Sequence, residues 1–209
     1  MWTLSQPSDE RIRGFLEEQE GEPFTYPEAG LTRGLPGAGP PAGYDFDHEH
    51  VRIGRGRDAW EAACAAVRRW EMFPSPLTRV AYPSGDPPPV TEGTTVAMIV
   101  RAFGVWWVNA CRIVYVIDER RAGEGLTKRF GFAYGTLPGH VERGEECFLV
   151  EWCQDDSVRY DLLAFSRPRA RIVRLGYPFA RALQARFRRE SLAAMRRAVA
   201  RSPAREEDV

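Results

Sequence analysis

The strongest constraint on the fold is a series of five consecutive segments in which apolar and polar residues alternate with period two. Only short turn-like or polar connections separate them, so successive strands are expected to pair as antiparallel neighbours. Such a sheet has one apolar face, which must be covered by another element. The predicted strands are residues 94–103, 106–118, 129–137, 145–153 and 157–166.

The covering element is a long helix, predicted from Pro168 to about Arg201, in which apolar residues recur at steps of three and four. We expect this seam to pack against the sheet and Pro178 to kink the helix. The opposite face is rich in arginine, and Arg188 and Arg189 are expected to lie in solvent. The seam comprises Ile172, Leu175, Phe179, Leu183, Phe187, Ala194, Met195 and Ala198.

The predicted fold class is α+β, with a curved antiparallel β-sheet gripping a long C-terminal helix and an N-terminal extension before it. This is a helix-grip arrangement. We divide the chain into residues 1–48, an N-terminal helix with a Pro/Gly-rich extension, residues 49–203, the helix-grip domain, and an acidic tail at 204–209. The second of these units starts with a strand at 50–54 and a helix from about Asp58.

Charge and cysteine content narrow the function classes. Twenty-nine basic residues balance twenty-nine acidic ones, which argues against a surface built for nucleic acid. The four cysteines form no C-x-x-C pair or disulfide framework, and no apolar run approaches the length of a membrane span. The N-terminus does not resemble a signal peptide. We therefore expect a soluble, cytoplasmic, bacterial protein with no stable membrane insertion; its oligomeric state stays open.

The densest set of polar side chains follows the third strand, around a turn at Pro138-Gly139-His140. A histidine beside carboxylates can act as a general acid or base, so His140, Glu142 and Glu145 are the catalytic candidates. The alternative is that Glu142 and Glu145 are simply solvated in a glycine-containing loop. No nucleophile with an evident base accompanies them. The other polar residues of this hairpin are Tyr134, Thr136 and Glu146.

Arg112 stands inside an apolar strand, in phase with Val108, Val114 and Val116. A buried arginine requires a carboxylate partner, and Glu146 is the first candidate because it shares a face with apolar residues of its own strand. Arg112 could instead hold an anionic head group, or lie at an exposed end of the sheet.

Metal binding is not favoured. His48 and His50 share one side of an extended segment, and His140 completes the three histidines of the chain. They have neither the spacing of a zinc motif nor a cysteine at finger-like distance. We predict no metal site and no cofactor.

The stretch FGFAYGTLPGHVERGEECFLVE at 130–151 resembles the signature of an uncharacterised family of bacteria and plants, called domain of unknown function nineteen-ninety. The resemblance implies a layout similar to the START-like, pollen-allergen-like superfamily, whose members bind lipids, hormones or polyketides, some being cyclases. Such an analogy of fold does not decide function. Matching stretches, in order, are GLTR at 30–33, PAGY at 41–44, IGRG at 53–56, CRIVY at 111–115 and AFSRP at 164–168.

Three functions follow from these patterns. The favoured one is binding of a small, largely apolar or amphipathic molecule in a cavity between the sheet and the last helix, because the strands are rich in aromatic residues. The first alternative is a hydrolase or cyclase that uses His140 with the nearby carboxylates. The second is an interaction protein that uses the arginine-rich helix. The predicted ligand-binding residues are Arg112, Tyr134, Thr136, His140 and Glu146.

Overall fold

The structure is a computed structural model in which one antiparallel sheet of eight strands supports the rest of the chain. The predicted acidic tail and the seam residue Ile172 fall outside the part it describes. That part comprises residues 1–37, 39–73, 78–82, 87, 89–120, 125–170 and 175–201.

Each of the five predicted central strands is present. They pair in the predicted antiparallel manner, and the order across the sheet is β2-β8-β7-β6-β5-β4-β3, with β1 beside β5. The short strands β1 and β3 were not predicted. In chain order the strands are β1 Trp2–Thr3, β2 Asp45–Arg55, β3 Thr78–Ala81, β4 Thr95–Ala102, β5 Val105–Glu119, β6 Leu126–Thr136, β7 Glu142–Cys153 and β8 Ser157–Pro168.

The helices described beside the sheet are α1 Asp9–Glu17, α2 Gly56–Arg68 and α3 Tyr177–Ala200, with a 3-10 turn at Leu31–Gly34. The prediction that Pro178 kinks this helix is wrong, because α3 begins only at Tyr177 and Pro178 therefore lies in its first turn. A first-turn N–H has no acceptor within the helix, so proline costs little there.

Helices α2 and α3 cover one face of the curved sheet, which we call the inner face. Its core includes Phe130, Phe132 and Tyr134 of β6, together with Phe148 of β7 and Tyr160 of β8. The C-terminal half of α3 packs there through the buried side chains of Ala194, Met195 and Ala198. The predicted fold class, an antiparallel sheet gripping a C-terminal helix, is confirmed.

The N-terminal extension covers the opposite face of the sheet, which we call the outer face. Helix α1 buries Ile12, Phe15 and Leu16 there. Tyr26 lies farther along and packs so closely on Gly135 that a Cβ at that glycine would lie 2.0 Å from the tyrosine oxygen. The extension therefore shields the outer face, while the predicted domain boundary at residue 48 stays a prediction.

The first turns of α3 depart from the predicted seam. The side chain of Phe179 is 64% exposed and that of Leu175 is also exposed, whereas Arg188, predicted in solvent, is only 8% exposed. The apolar seam meets the sheet in the second half of the helix. Its first half borders a hollow, so different side chains face inward there.

Candidate functional site

A cavity of about 760 Å³ lies between the inner face of the sheet and the first half of α3. Most of its wall is apolar, because strands β4 and β5 present aliphatic and aromatic side chains and α3 presents Leu183 and Phe187. The strand side of this wall includes Met98, Val100, Ala102, Val105 and Trp107.

Tyr134 and Glu146 form the first polar pair in the cavity wall. They are directly opposed in the β6–β7 register, and the Tyr134 hydroxyl donates to Oε2 of Glu146 at 2.5 Å. Burial raises the pKa of Glu146 to about 7, although this hydrogen bond and the charge of Arg188 act in the opposite direction. The Glu146 carboxyl is therefore poised to change its charge near neutral pH.

Glu142, at the start of β7, lines the same end of the cavity. Both of its carboxylate oxygens accept from Nε2 of Gln184 on α3, at 2.8 Å each. Burial raises the pKa of Glu142 above its ordinary value, and the charges of Asp45 and Asp47 act in the same direction. Glu142 and Glu146 are thus two carboxyl groups whose charged forms are both disfavoured by burial.

The third carboxylate at this end, Asp47 of β2, is paired with arginines. Its two oxygens accept from Arg181 at 2.7 and 2.8 Å, and Nη1 of Arg188 lies 2.9 Å from Oδ2. Arg188 also donates to Glu49 at 2.8 Å. These ion pairs hold the first half of α3 at a defined distance above β2. We call Asp47, Glu142 and Glu146 the acidic end of the cavity.

His140 lines the cavity from the loop between β6 and β7. Its Nδ1 accepts from the backbone N–H of Glu142 at 2.9 Å. Burial lowers the pKa of His140 to about 4, so the ring is neutral at physiological pH. The ring is held by a backbone group rather than by a carboxylate, which is not the arrangement that orients a catalytic imidazole in a triad.

Thr136 also lines the cavity, and its hydroxyl forms hydrogen bonds within the protein. The Thr136 hydroxyl lies 2.6 Å from that of Thr25 and accepts from the backbone N–H of Gly144 at 3.0 Å. It thereby joins the N-terminal extension to the β6–β7 connection.

Glu145, the third catalytic candidate, borders the cavity with His140 and Glu142, but its carboxylate is bound by the N-terminal extension. Its side chain, only 2% exposed, points to the outer face, where it accepts from the Tyr26 hydroxyl at 2.8 Å. The backbone N–H groups of Gly30 and Thr32 donate to it at 2.7 and 3.0 Å, and the Thr32 hydroxyl donates as well. Glu145 therefore anchors the N-terminal extension, whereas Glu142 bonds to Gln184 of α3, and a catalytic role for the three residues stays a prediction.

The predicted Arg112–Glu146 pair is wrong. Arg112 lies on the outer face and donates to the carbonyl oxygens of Gln19 and Glu22 at 2.8 and 2.7 Å, and to the Thr95 hydroxyl at 3.2 Å. Arg112 is aligned with Gly135 of β6, and Gly135 is aligned with Glu145 of β7, so Arg112 shares the face of Glu145 and not that of Glu146. A register shift in β5 between Ile113 and Tyr115 breaks the two-residue period, so Val116, predicted in phase with Arg112, packs on the inner face instead. Arg112 is consequently absent from the cavity wall.

The histidines do not converge. His48 bonds through Nε2 to Asp161 at 2.8 Å, and its ring lies 5.7 Å from that of His50. Both rings are on β2, whereas His140 lines the cavity. Within the residues that the structure describes, no three side chains of the ligating types are grouped so that they could hold a metal ion.

Sequence reasoning missed Arg181, Gln184 and Arg188. They recur at steps of three and four on the side of α3 that faces the cavity and β2, as the seam residues were expected to do. A second, polar stripe at helical spacing was visible in the sequence. The sequence predicts these residues on a solvated arginine face, because it does not show which carboxylates of the sheet lie opposite the helix.

Fold and site together define a helix-grip protein of the α+β class, in which a curved antiparallel sheet and a C-terminal helix enclose a largely apolar cavity with a charged end. None of the described helices combines the length and the hydropathy that crossing a bilayer requires.

The chain belongs to the family described as Domain of unknown function (DUF1990), whose model matches residues 25–194. The predicted family resemblance is therefore confirmed. A UPF0548 protein of Deinococcus radiodurans is 34% identical over 194 residues, which cover 89% of this chain and 92% of the relative. One of Dictyostelium discoideum is 29% identical over 212 residues, covering 95% and 96%, so the family extends beyond bacteria and plants.

Among solved structures, a similar chain is the hypothetical protein jhp0584 from Helicobacter pylori. It is 12% identical in sequence, with a TM-score of 0.49 over 87% of this chain and 96% of that one.

Proposed function

We propose that this protein binds a small, largely apolar molecule in the cavity between the sheet and α3. The observation that carries the proposal is the cavity itself, about 760 Å³ with predominantly aliphatic and aromatic walls. Binding sites for small molecules typically enclose roughly 300–1,000 Å³ and place a few polar groups within apolar walls. This cavity has both properties.

The surroundings of the cavity support access from one side. Phe103, at the β4–β5 turn, and Phe179, in the first turn of α3, both line the cavity and are mostly exposed. Their rings contact each other edge to face, with centroids 6.0 Å apart. An exposed aromatic pair at the rim of an apolar cavity provides a surface over which an apolar molecule can enter.

The two alternative functions have less support. A hydrolase or cyclase needs a general base oriented by a partner, and the hydrogen bond that orients the His140 ring comes from a backbone N–H. An interaction protein would use the arginines of α3 to contact its partner. Arg181 and Arg188 instead form ion pairs with Asp47 of β2, so they are not offered to a partner.

The test is to fill the cavity. Leu183→Trp places an indole inside the wall, whereas Ala182→Trp places it on the exposed side of the same helix as a matched control. Binding of Nile red, a neutral apolar dye, is measured by fluorescence titration, and native mass spectrometry reports any molecule that is carried through purification.

We expect the wild type and Ala182→Trp to bind the dye with equal affinity and Leu183→Trp to bind it at least about tenfold more weakly. Circular dichroism and thermal unfolding establish that both variants are folded. Equal dye binding by all three folded proteins, with no retained molecule in any of them, would contradict the proposal.

A further inference from the structure

The acidic end of the cavity contains more carboxyl groups than cations. Asp47 and Glu49 share the two guanidinium groups of Arg181 and Arg188. Glu142 and Glu146 have no ion pair with either arginine in the described part of the chain, and accept instead from the neutral groups of Gln184 and Tyr134. Two carboxyl groups are therefore left without a cation in direct contact.

This arrangement is costly, because a buried carboxylate without a counterion loses its hydration. Nearby cations offset only part of the cost. The charge of Arg188 favours ionised Glu146 and that of Arg181 favours ionised Glu142, yet burial dominates both groups and raises both pKa values. His140, which also lines the cavity, is neutral and supplies no positive charge.

The remaining charged groups do not alter this balance. The Glu145 carboxylate accepts hydrogen bonds from Tyr26 and Gly30 of the N-terminal extension on the outer face. Arg112 lies on that face too, bound to backbone carbonyls. Asp45 accepts from the Tyr177 hydroxyl at 2.6 Å and adds negative charge near Glu142. Arg169 donates to the carbonyl oxygens of Pro138 and His140, and among the residues that the structure describes no arginine or lysine forms an ion pair with Glu142 or Glu146.

A ligand of the matching chemistry would supply what is missing. A protonated amine has up to three N–H donors, and an ionised carboxylate accepts at two oxygens with about four lone-pair positions. In the described part of the chain, Glu146 uses Oε2 for Tyr134, which leaves Oε1 for a further donor. A carboxylate or phosphate head group would instead meet like charge at this end.

We infer that the cavity is selective for a cationic amphiphile, a molecule with an apolar body and a protonated amine that contacts Glu146 and Glu142. This inference rests on the proposed function and adds the chemical class of its ligand. The apolar body lies against the aliphatic and aromatic walls formed by β4, β5 and α3. The ammonium group forms charge-assisted hydrogen bonds at the acidic end, which are stronger than neutral ones.

The experiment compares three molecules that share one chain and differ only in the head group: decylamine, 1-decanol and decanoate. Each displaces Nile red from the wild-type protein at pH 8, where the amine is protonated and Glu146 is largely ionised. Concentrations stay below micelle formation. Glu146→Gln keeps an acceptor for Tyr134 and removes the charge, and Glu119→Gln, on the outer face, is the matched control.

We expect decylamine to compete at least about tenfold better than 1-decanol and decanoate to compete worst, since hydrogen bonds to charged groups exceed neutral ones by this order. In Glu146→Gln the advantage of the amine over the alcohol, compared within that variant, should fall severalfold. In Glu119→Gln all three affinities should match the wild type.

Two results overturn the inference while leaving the proposed function intact. One is dye displacement by 1-decanol as effective as that by decylamine, and the other is preference for decanoate. The inference is also overturned if the preference for decylamine over 1-decanol is undiminished in Glu146→Gln and in Glu142→Gln. Failure of the folded wild type to bind the dye at all would overturn the proposed function itself, and the inference with it.

Discussion

Replacing Glu146 by glutamine should make the protein more stable at alkaline pH, and this prediction tests the electrostatics of the cavity directly. The Glu146 carboxyl has an ordinary pKa of 4.5 and a pKa of about 7 in the folded chain, chiefly because burial disfavours its charged form. The folded state therefore binds this proton more tightly than the unfolded state does. Glutamine has a similar shape, cannot ionise, and still offers an oxygen to the Tyr134 hydroxyl.

The sign and size follow from linkage. For a carboxyl with a raised pKa, the stabilising contribution is complete below about pH 4.5 and is lost as the pH rises to about 7. One pKa unit corresponds to about 1.4 kcal/mol, so the loss reaches up to about 3 kcal/mol above pH 7. The free energy of unfolding of Glu146→Gln should thus equal that of the wild type near pH 4.5 and exceed it increasingly toward pH 8.

The assay is urea unfolding of both proteins between pH 4.5 and 8.5, followed by tryptophan fluorescence. His140 acts with the opposite sign, because its pKa is lowered to about 4 and its contribution is lost as the pH falls from 6.5. It is present in both proteins, so it cancels in the difference between them. A difference between Glu146→Gln and the wild type that is constant across this range would refute the reasoning.

Three further predictions concern stability, each checked by urea unfolding at pH 7. Glu145→Ala should lose about 3–5 kcal/mol, because it leaves buried donors of the N-terminal extension unpaired, and a loss below about 1 kcal/mol would contradict its anchoring role. Arg188→Met should cost about 3–5 kcal/mol and exposed Arg189→Met under about 0.5 kcal/mol, with the reverse ranking counting against the buried ion pairs. Phe187→Ala should cost about 3 kcal/mol, since its ring stacks on that of Phe73, whereas Phe179→Ala should cost almost nothing; equal effects would argue against the observed placement of α3.

The alternation of residues along the chain was sufficient to predict the central sheet. Strands β4 to β8 appear within a few residues of their predicted bounds because each strand has one face in the core, and a shift of one residue would expose its apolar set. The same argument placed Phe132, Tyr134 and Glu146 on one face and Glu145 on the other. These are local properties, since the side chain's face follows from its position in its own strand.

The position of α3 relative to the sheet depends on tertiary contacts. Its apolar seam predicted that it covers the sheet, which it does at Met195 and Ala198. The seam did not show that the first half of the helix is held away from the sheet, by contacts of Arg181 and Arg188 with Asp47 of a strand more than 130 residues earlier in the chain. That separation leaves the cavity, and it exposes Phe179.

Partners distant in sequence decided the roles of the polar residues. The strand register aligned Arg112 with Gly135 and Glu145, on the face where the backbone carbonyls of the N-terminal extension accept from it. Glu145 acquired its partners from residues 26–32, which carry no periodic pattern that would show where they dock. Short-range alternation determines the face of a side chain, but only the packed chain determines what lies opposite that face. The sequence alone therefore predicted the sheet and its cover, and the tertiary structure decided which carboxyl groups share the cavity.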